Sequence, residues 1–164
     1  MSSRDIAIRA VLIGVGGTVV LDLYAWLLHR IFGMPATNWG LVGRWIGLMP
    51  RGHFVQPQLG KADRVPGELA IGWVFHYLIG AGYGLLLVAI WGADWLQRPT
   101  VAAPMTLALA LLVLPYFAMM PGMGMGMAAS RAPKPNVARL KSVAGHSVFG
   151  IGMYLTALLA THTG

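Results

Sequence analysis

Three ionisable side chains, Asp22, His76 and His146, stand inside stretches that are otherwise apolar enough to be membrane spans. A charged group at the centre of a bilayer costs at least about 2.5 kcal/mol, so such groups face a bundle interior and mark a site. A carboxylate beside two imidazoles can relay a proton or bind a cation, and it draws the imidazole toward its charged form. The histidines could instead ligate a metal, with Asp22 as a ligand or as the group that orients one. Two histidines on parallel helices could also hold a haem iron from both sides. Against these stands a polar network that fixes helix packing and carries no traffic.

Spacing puts the three groups on packing faces. Residues four apart share a helix face. Gly14, Thr18, Asp22 and Trp26 form one such row, and His29 continues it seven residues beyond Asp22. Gly72, His76, Gly80 and Gly84 form a second, and Ser142, His146, Gly150 and Tyr154 a third. Small residues at this spacing let membrane helices approach closely. Thr18 and His29 therefore join Asp22, His76 and His146 as candidate site residues, with Gly72, Gly80, Gly84 and Gly150 as packing positions. The pattern His76-x-x-x-Gly80-x-Gly82-x-x-Leu85 recurs as His146-x-x-x-Gly150-x-Gly152-x-x-Leu155. Duplication and common membrane composition both explain it, and nothing in the third span corresponds to Asp22.

A second group of candidates is the run Met119, Met120, Met123, Met125 and Met127, interleaved with glycine. Thioethers are soft ligands suited to Cu(I). Methionine also fills irregular apolar surfaces, which needs no metal. Haem and copper are thus the cofactors the residue types would admit.

Other chemistries find little support. The chain has no cysteine, which removes thiolate catalysis and disulfides. Neither Ser130 nor Ser142 sits in a Gly-x-Ser-x-Gly elbow. Gly14-x-Gly16-Gly17 follows no strand and is no dinucleotide fingerprint. Basic residues lack the motif and aromatic spacing of a nucleic-acid binder. A non-enzymatic membrane protein that binds no nucleic acid is the expectation.

The elements that must position these residues follow from composition. Of 164 residues, 57% are hydrophobic and only 10% charged, with a mean hydropathy of +0.66. Four stretches reach the roughly 20 residues a bilayer core requires: 10–28, 69–90, 101–120 and 143–160. They predict an all-α, polytopic fold, a single four-helix transmembrane domain over residues 1–164. No small-x-small cleavage pattern precedes Asp22, so the first span is expected to be retained. Pro115 predicts a kink in the third span, because it removes a donor and crowds the carbonyl of Leu111.

Charge sets the orientation. Nine cations lie in loops 29–68 and 121–142, against Arg4, Arg9 and Arg98 on the other side. The positive-inside rule makes those loops cytoplasmic and both termini periplasmic. Such loops also attract anionic lipid headgroups. Asp22 then lies about 12 Å from Arg30 along its helix, His76 about 12 Å from Glu68, and His146 about 7.5 Å from Lys141. All three enter one layer near the cytoplasmic side. Within loop one, Asn38–Met49 predicts a short interfacial helix with Trp39 and Trp45 at headgroup level. Pro50–Pro66 reads as irregular chain, and Glu68 as a carboxylate favoured by the start of span two.

The segments Asn38-Trp39-Gly40-Leu41-Val42-Gly43-Arg44-Trp45, Pro50-Arg51-Gly52, Val65-Pro66-Gly67-Glu68, His76-Tyr77, Met120-Pro121-Gly122-Met123-Gly124 and Ala129-Ser130-Arg131 carry a resemblance over nearly the whole chain. The chain resembles a four-span bacterial inner-membrane family of unknown function (domain of unknown function 2938). The resemblance implies four helices and a bacterial inner membrane, and transfers no activity. The sequence thus supports an integral membrane protein with a polar intramembrane site that binds or passes a proton, cation or small solute. The rival readings are a structural subunit or assembly factor of a larger membrane complex, and a haem or copper carrier. The bilayer is the expected partner, with either a homo-oligomer or a larger complex around the chain.

Overall fold

A computed structural model describes residues 1–162, and they are helical without a strand among them. The helices are α1 (Ser3–Phe32), α2 (Trp39–Leu48), α3 (Glu68–Trp91), α4 (Ala102–Gly122) and α5 (Pro135–His162). All but α2 are long and apolar enough to cross a membrane. Each contains one of the four expected spans, apart from the Val101 that opens the third.

The helix ends carry their own signals. Ser2 and Asp5 close a capping box at the start of α1. Its other end stops at Gly33, whose left-handed backbone (φ 62°) turns the Met34 N–H back to the Leu28 carbonyl at 3.4 Å. Asn38 caps α2 by accepting from the Leu41 N–H at 3.1 Å. The expected disruption of α4 is present. Its regular turn ends at Ala110, and Pro115–Met119 winds as a π-helix. The Leu111 carbonyl, which a residue at 115 would otherwise bond, accepts from Leu114 N–H at 3.0 Å. The freed group is satisfied locally, as a membrane helix requires.

The chain divides into two compact units. Among the described residues, the first comprises 1–36, 77–110 and 144–162. Here α1 meets the later part of α3 through glycines in place of side chains. A Cβ on Gly14 would strike the Gly80 carbonyl, and one on Gly84 would strike the Ala10 carbonyl. On another face of α1, Gly17 packs on Met153 and Phe149 of α5, while Gly152 packs on Val20 and Gly17. Gly150 lies against the backbone of Pro104 and Met105. Ile13, Leu87, Ala108, Met153 and Ala157 form the buried interior of this unit.

The second unit comprises residues 37–76 and 111–143. It uses the same device between α2 and the start of α3: Gly43 lies on the Glu68 carbonyl and Gly72 on the Trp39 carbonyl. Its core is Trp45, Leu48 and Leu59, with Leu41, Met119 and Met123 packed around them.

Candidate functional site

Asp22 sits in α1, two turns beyond Gly14 along the row that packs on α3. Tyr77 of α3 donates its hydroxyl hydrogen to Asp22 Oδ2 at 2.9 Å, and both groups are half-buried. The pairing follows from the antiparallel register: Gly14 meets Gly80 and Gly84, Thr18 meets Gly80, and Asp22 reaches Tyr77. A carboxylate inside a helix long and apolar enough to span a membrane here has a phenol partner. A phenol can donate to the ionised carboxylate and accept from the protonated one.

Thr18 and His29 hold quieter positions. Thr18 is fully buried, and its hydroxyl donates to the Gly14 carbonyl one turn back at 3.0 Å. It fills the space above Gly80. His29 is exposed in the last turn of α1, its Nδ1 3.1 Å from the Met34 carbonyl. His146 is half-buried on α5 in the same unit as Asp22. Its neighbour Gly145 faces the side chain of Leu21 at 3.5 Å, so His146 enters the unit near the level of Asp22.

His76 belongs to the second unit, is half-buried and contacts two indole rings. Its imidazole stacks on Trp39 of α2 with centroids 4.0 Å apart and planes 28° from parallel. Trp73, one turn earlier on α3, meets it edge-on at 5.8 Å. Among the described residues, no three His, Asp or Glu side chains are grouped as a metal ion would need.

The same unit contains an ion pair that periodicity did not reveal. Arg44 is buried and meets Glu68 in a fork: Nε to Oε2 and Nη2 to Oε1, both 2.8 Å. Its Nη1 donates to the Ala62 carbonyl at 3.2 Å and to that of Leu59 at 3.4 Å. Glu68 Oε2 also accepts from the Val65 N–H. The hydrogen-bonded carboxylate, outweighing desolvation, pushes the Arg44 pKa above its ordinary value. The segment expected to be irregular contains two short 3-10 turns, Met49–Arg51 and Leu59–Lys61, and its second half is held by Arg44 and Glu68. Glu68 spends its carboxylate on Arg44 as well as standing at the start of α3.

Two further expectations change in detail. Trp45, expected at headgroup level, is 7% exposed, and its indole N–H donates to the Phe54 carbonyl at 2.8 Å. Gly122 makes this burial feasible, since a Cβ there would run into the indole. In the methionine run, Met119 and Met123 pack on the Trp45 core, Met120 is buried, and Met127 is 64% exposed. The matched positions of the apparent repeat have unlike surroundings. Gly82 faces open space, whereas Gly152 is pressed against α1.

Tyr77, Arg44 and Glu68 are the residues sequence reasoning passed over as site candidates. A signal existed for Tyr77: it lies three residues before Gly80 and seven before Gly84, on the face that packs against α1. No curated protein and no solved structure matches the chain. A family model matches residues 11–160, and the chain belongs to that family, described as Protein of unknown function (DUF2938).

Proposed function

We propose that the chain is a multi-pass protein of a bacterial inner membrane in which Asp22 binds a proton or small cation and passes it on. Loops 29–68 and 121–142, with nine of the twelve cations, face the cytoplasm, and both termini face the periplasm. Burial of Arg44 with Glu68 removes one cation from that count and leaves the asymmetry in place.

The observation that carries the reading is the Tyr77–Asp22 hydrogen bond inside helices long enough to span. A carboxylate held there is costly unless used or fully partnered. Ionised, Asp22 accepts from the phenol; protonated, it offers a hydrogen of its own, so the pair stays hydrogen-bonded in either state. His146 in the same unit is a second station for the proton.

The test is uptake into proteoliposomes carrying an internal pH dye, with wild type, Asp22→Asn and Tyr77→Phe compared. The expected result is loss of proton entry in Asp22→Asn and slower entry in Tyr77→Phe, with unaltered thermal midpoints. Wild-type uptake by Asp22→Asn would remove the reading.

A further inference from the structure

The second unit holds two large apolar side chains out of its core at one tip. Phe54 is 62% and Val55 61% exposed. They are not loosely placed. Trp45 bonds the Phe54 carbonyl, and Gln56 N–H donates to the Gly122 carbonyl at 2.8 Å. Gly124 lies so close to the Gln56 and Pro57 carbonyls that a Cβ would overlap both. Two chain segments, 53–57 and 122–131, are therefore stitched edge to edge.

Between them runs a cleft lined by Val55, Pro57, Gly124, Met127, Ser130 and Arg131. It carries a guanidinium, a hydroxyl and apolar walls, and no acidic residue. Backbone strain shapes it. Gly124 and Gly126 have positive φ, and so do Ala128 (46°) and Ala129 (58°), where a Cβ is unfavourable. Strained alanines of this kind concentrate at ligand clamps and switches. Here the bends return Ser130 and Arg131 to the cleft, and Arg131 N–H is fixed on the Met125 carbonyl at 2.8 Å. A second cleft beside the tip contains Lys61 but also Asp63, so its charge is balanced.

A rigid apolar tip beside an acid-free cationic cleft, a few residues from helices of membrane length, suits one occupant. We propose that the cleft receives the glycerophosphate headgroup of an acidic phospholipid. Arg131 and Ser130 face the phosphate, while Phe54, Val55 and Met127 enter the apolar boundary around it. The site is separate from Asp22 and stands or falls without it.

The absence of cysteine makes the test direct. The purified protein is placed in nanodiscs of phosphatidylcholine mixed with phosphatidylglycerol, and the lipids it retains are read by native mass spectrometry. Wild type should retain phosphatidylglycerol preferentially. Arg131→Gln should lower that preference about fivefold, the typical contribution of one cation at a membrane surface. Lys61→Gln should leave it unchanged. In parallel, spin labels at Phe54→Cys and at the exposed Gln58→Cys are compared for collision with oxygen and with a water-soluble nickel chelate. The label at 54 should favour oxygen and the label at 58 the chelate. Equal loss from Lys61→Gln and Arg131→Gln would mean diffuse attraction and overturn the cleft. Equal chelate access at 54 and 58 would overturn insertion of the tip.

Discussion

Alanine in place of Gly14 tests the α1–α3 seam and the pairing of Asp22 together. The new Cβ would meet the Gly80 carbonyl, with that carbonyl carbon 2.8 Å away and the Gly84 nitrogen 3.0 Å away. The carbonyl oxygen is the limiting contact, and carbon–oxygen contacts rest at about 3.3 Å or more, so the helices must part locally by more than about 1 Å. The atoms met are backbone, which cannot rotate aside. Overpacking of this kind costs about 1–3 kcal/mol, and alanine's better helix propensity returns up to about 1 kcal/mol. A net loss of up to about 3 kcal/mol remains, or a midpoint lowered by up to about 12 °C for a chain of this size. Two turns along, the 2.9 Å Tyr77–Asp22 bond has little room for such a displacement. The assay is tryptophan-fluorescence melting in one detergent, with Gly82→Ala as the internal control. Nothing lies within 4 Å of a Cβ on Gly82, so that variant should melt at or slightly above wild type. A Gly14→Ala midpoint equal to or above that of Gly82→Ala would refute the close approach and the register drawn from it.

Three other substitutions probe separate parts of the structure. Leu87 is fully buried, so Leu87→Ala should cost about 2–5 kcal/mol in the same melt; a loss under about 1 kcal/mol would contradict its burial. Arg44→Lys keeps the charge but loses the fork and the reach to the Leu59 and Ala62 carbonyls. Amide exchange should then quicken in the Leu59–Val65 segment, and unchanged protection would show that Arg44 does not order it. Ala128→Gly should be neutral or raise stability by up to about 1 kcal/mol, because relief at φ 46° offsets the added freedom of the unfolded chain. A clear destabilisation would argue against the left-handed backbone there.

Four helices long and apolar enough to span were legible because hydrocarbon thickness demands long apolar runs, and little else in a short chain produces four of them. The helices overrun those runs at their ends because capping is independent of hydropathy. Ser2 and Asp5 begin α1 seven residues before the apolar stretch. The Pro115 disturbance was legible for the same local reason. The Arg44–Glu68 pair was not, because its partners are 24 residues apart across a segment without periodicity. Nor did the left-handed Ala128 and Ala129 announce themselves, since alanine has no preference for that region. The methionine spacing carried no clue that Met119 and Met123 would turn to the Trp45 core while Met127 stayed exposed. Asp22 stood out in the sequence as a carboxylate in an apolar run, but its hydrogen-bond partner depends on a register between helices that only packing fixes.

The glycine row on α3 explains why neighbours in sequence acquired different partners. At about 100° per residue, a row of positions four apart winds by roughly 40° at each step. Gly72 is occupied with Trp39 in the second unit, whereas Gly80 and Gly84 are occupied with Thr18, Gly14 and Ala10 in the first. A single row thus serves two successive contacts along one helix. His76 lies one turn after Gly72 and shares its partner, so its ring rests on Trp39. Tyr77, one residue later, points about 100° around the helix and reaches Asp22. Position along α3 and one residue's rotation around it thus separate the two contacts: histidine on an indole, phenol on a carboxylate. On the proton reading proposed above, the phenol–carboxylate pair beside the α3 row is the contact to test, and the His76–Trp39 stack is a separate one.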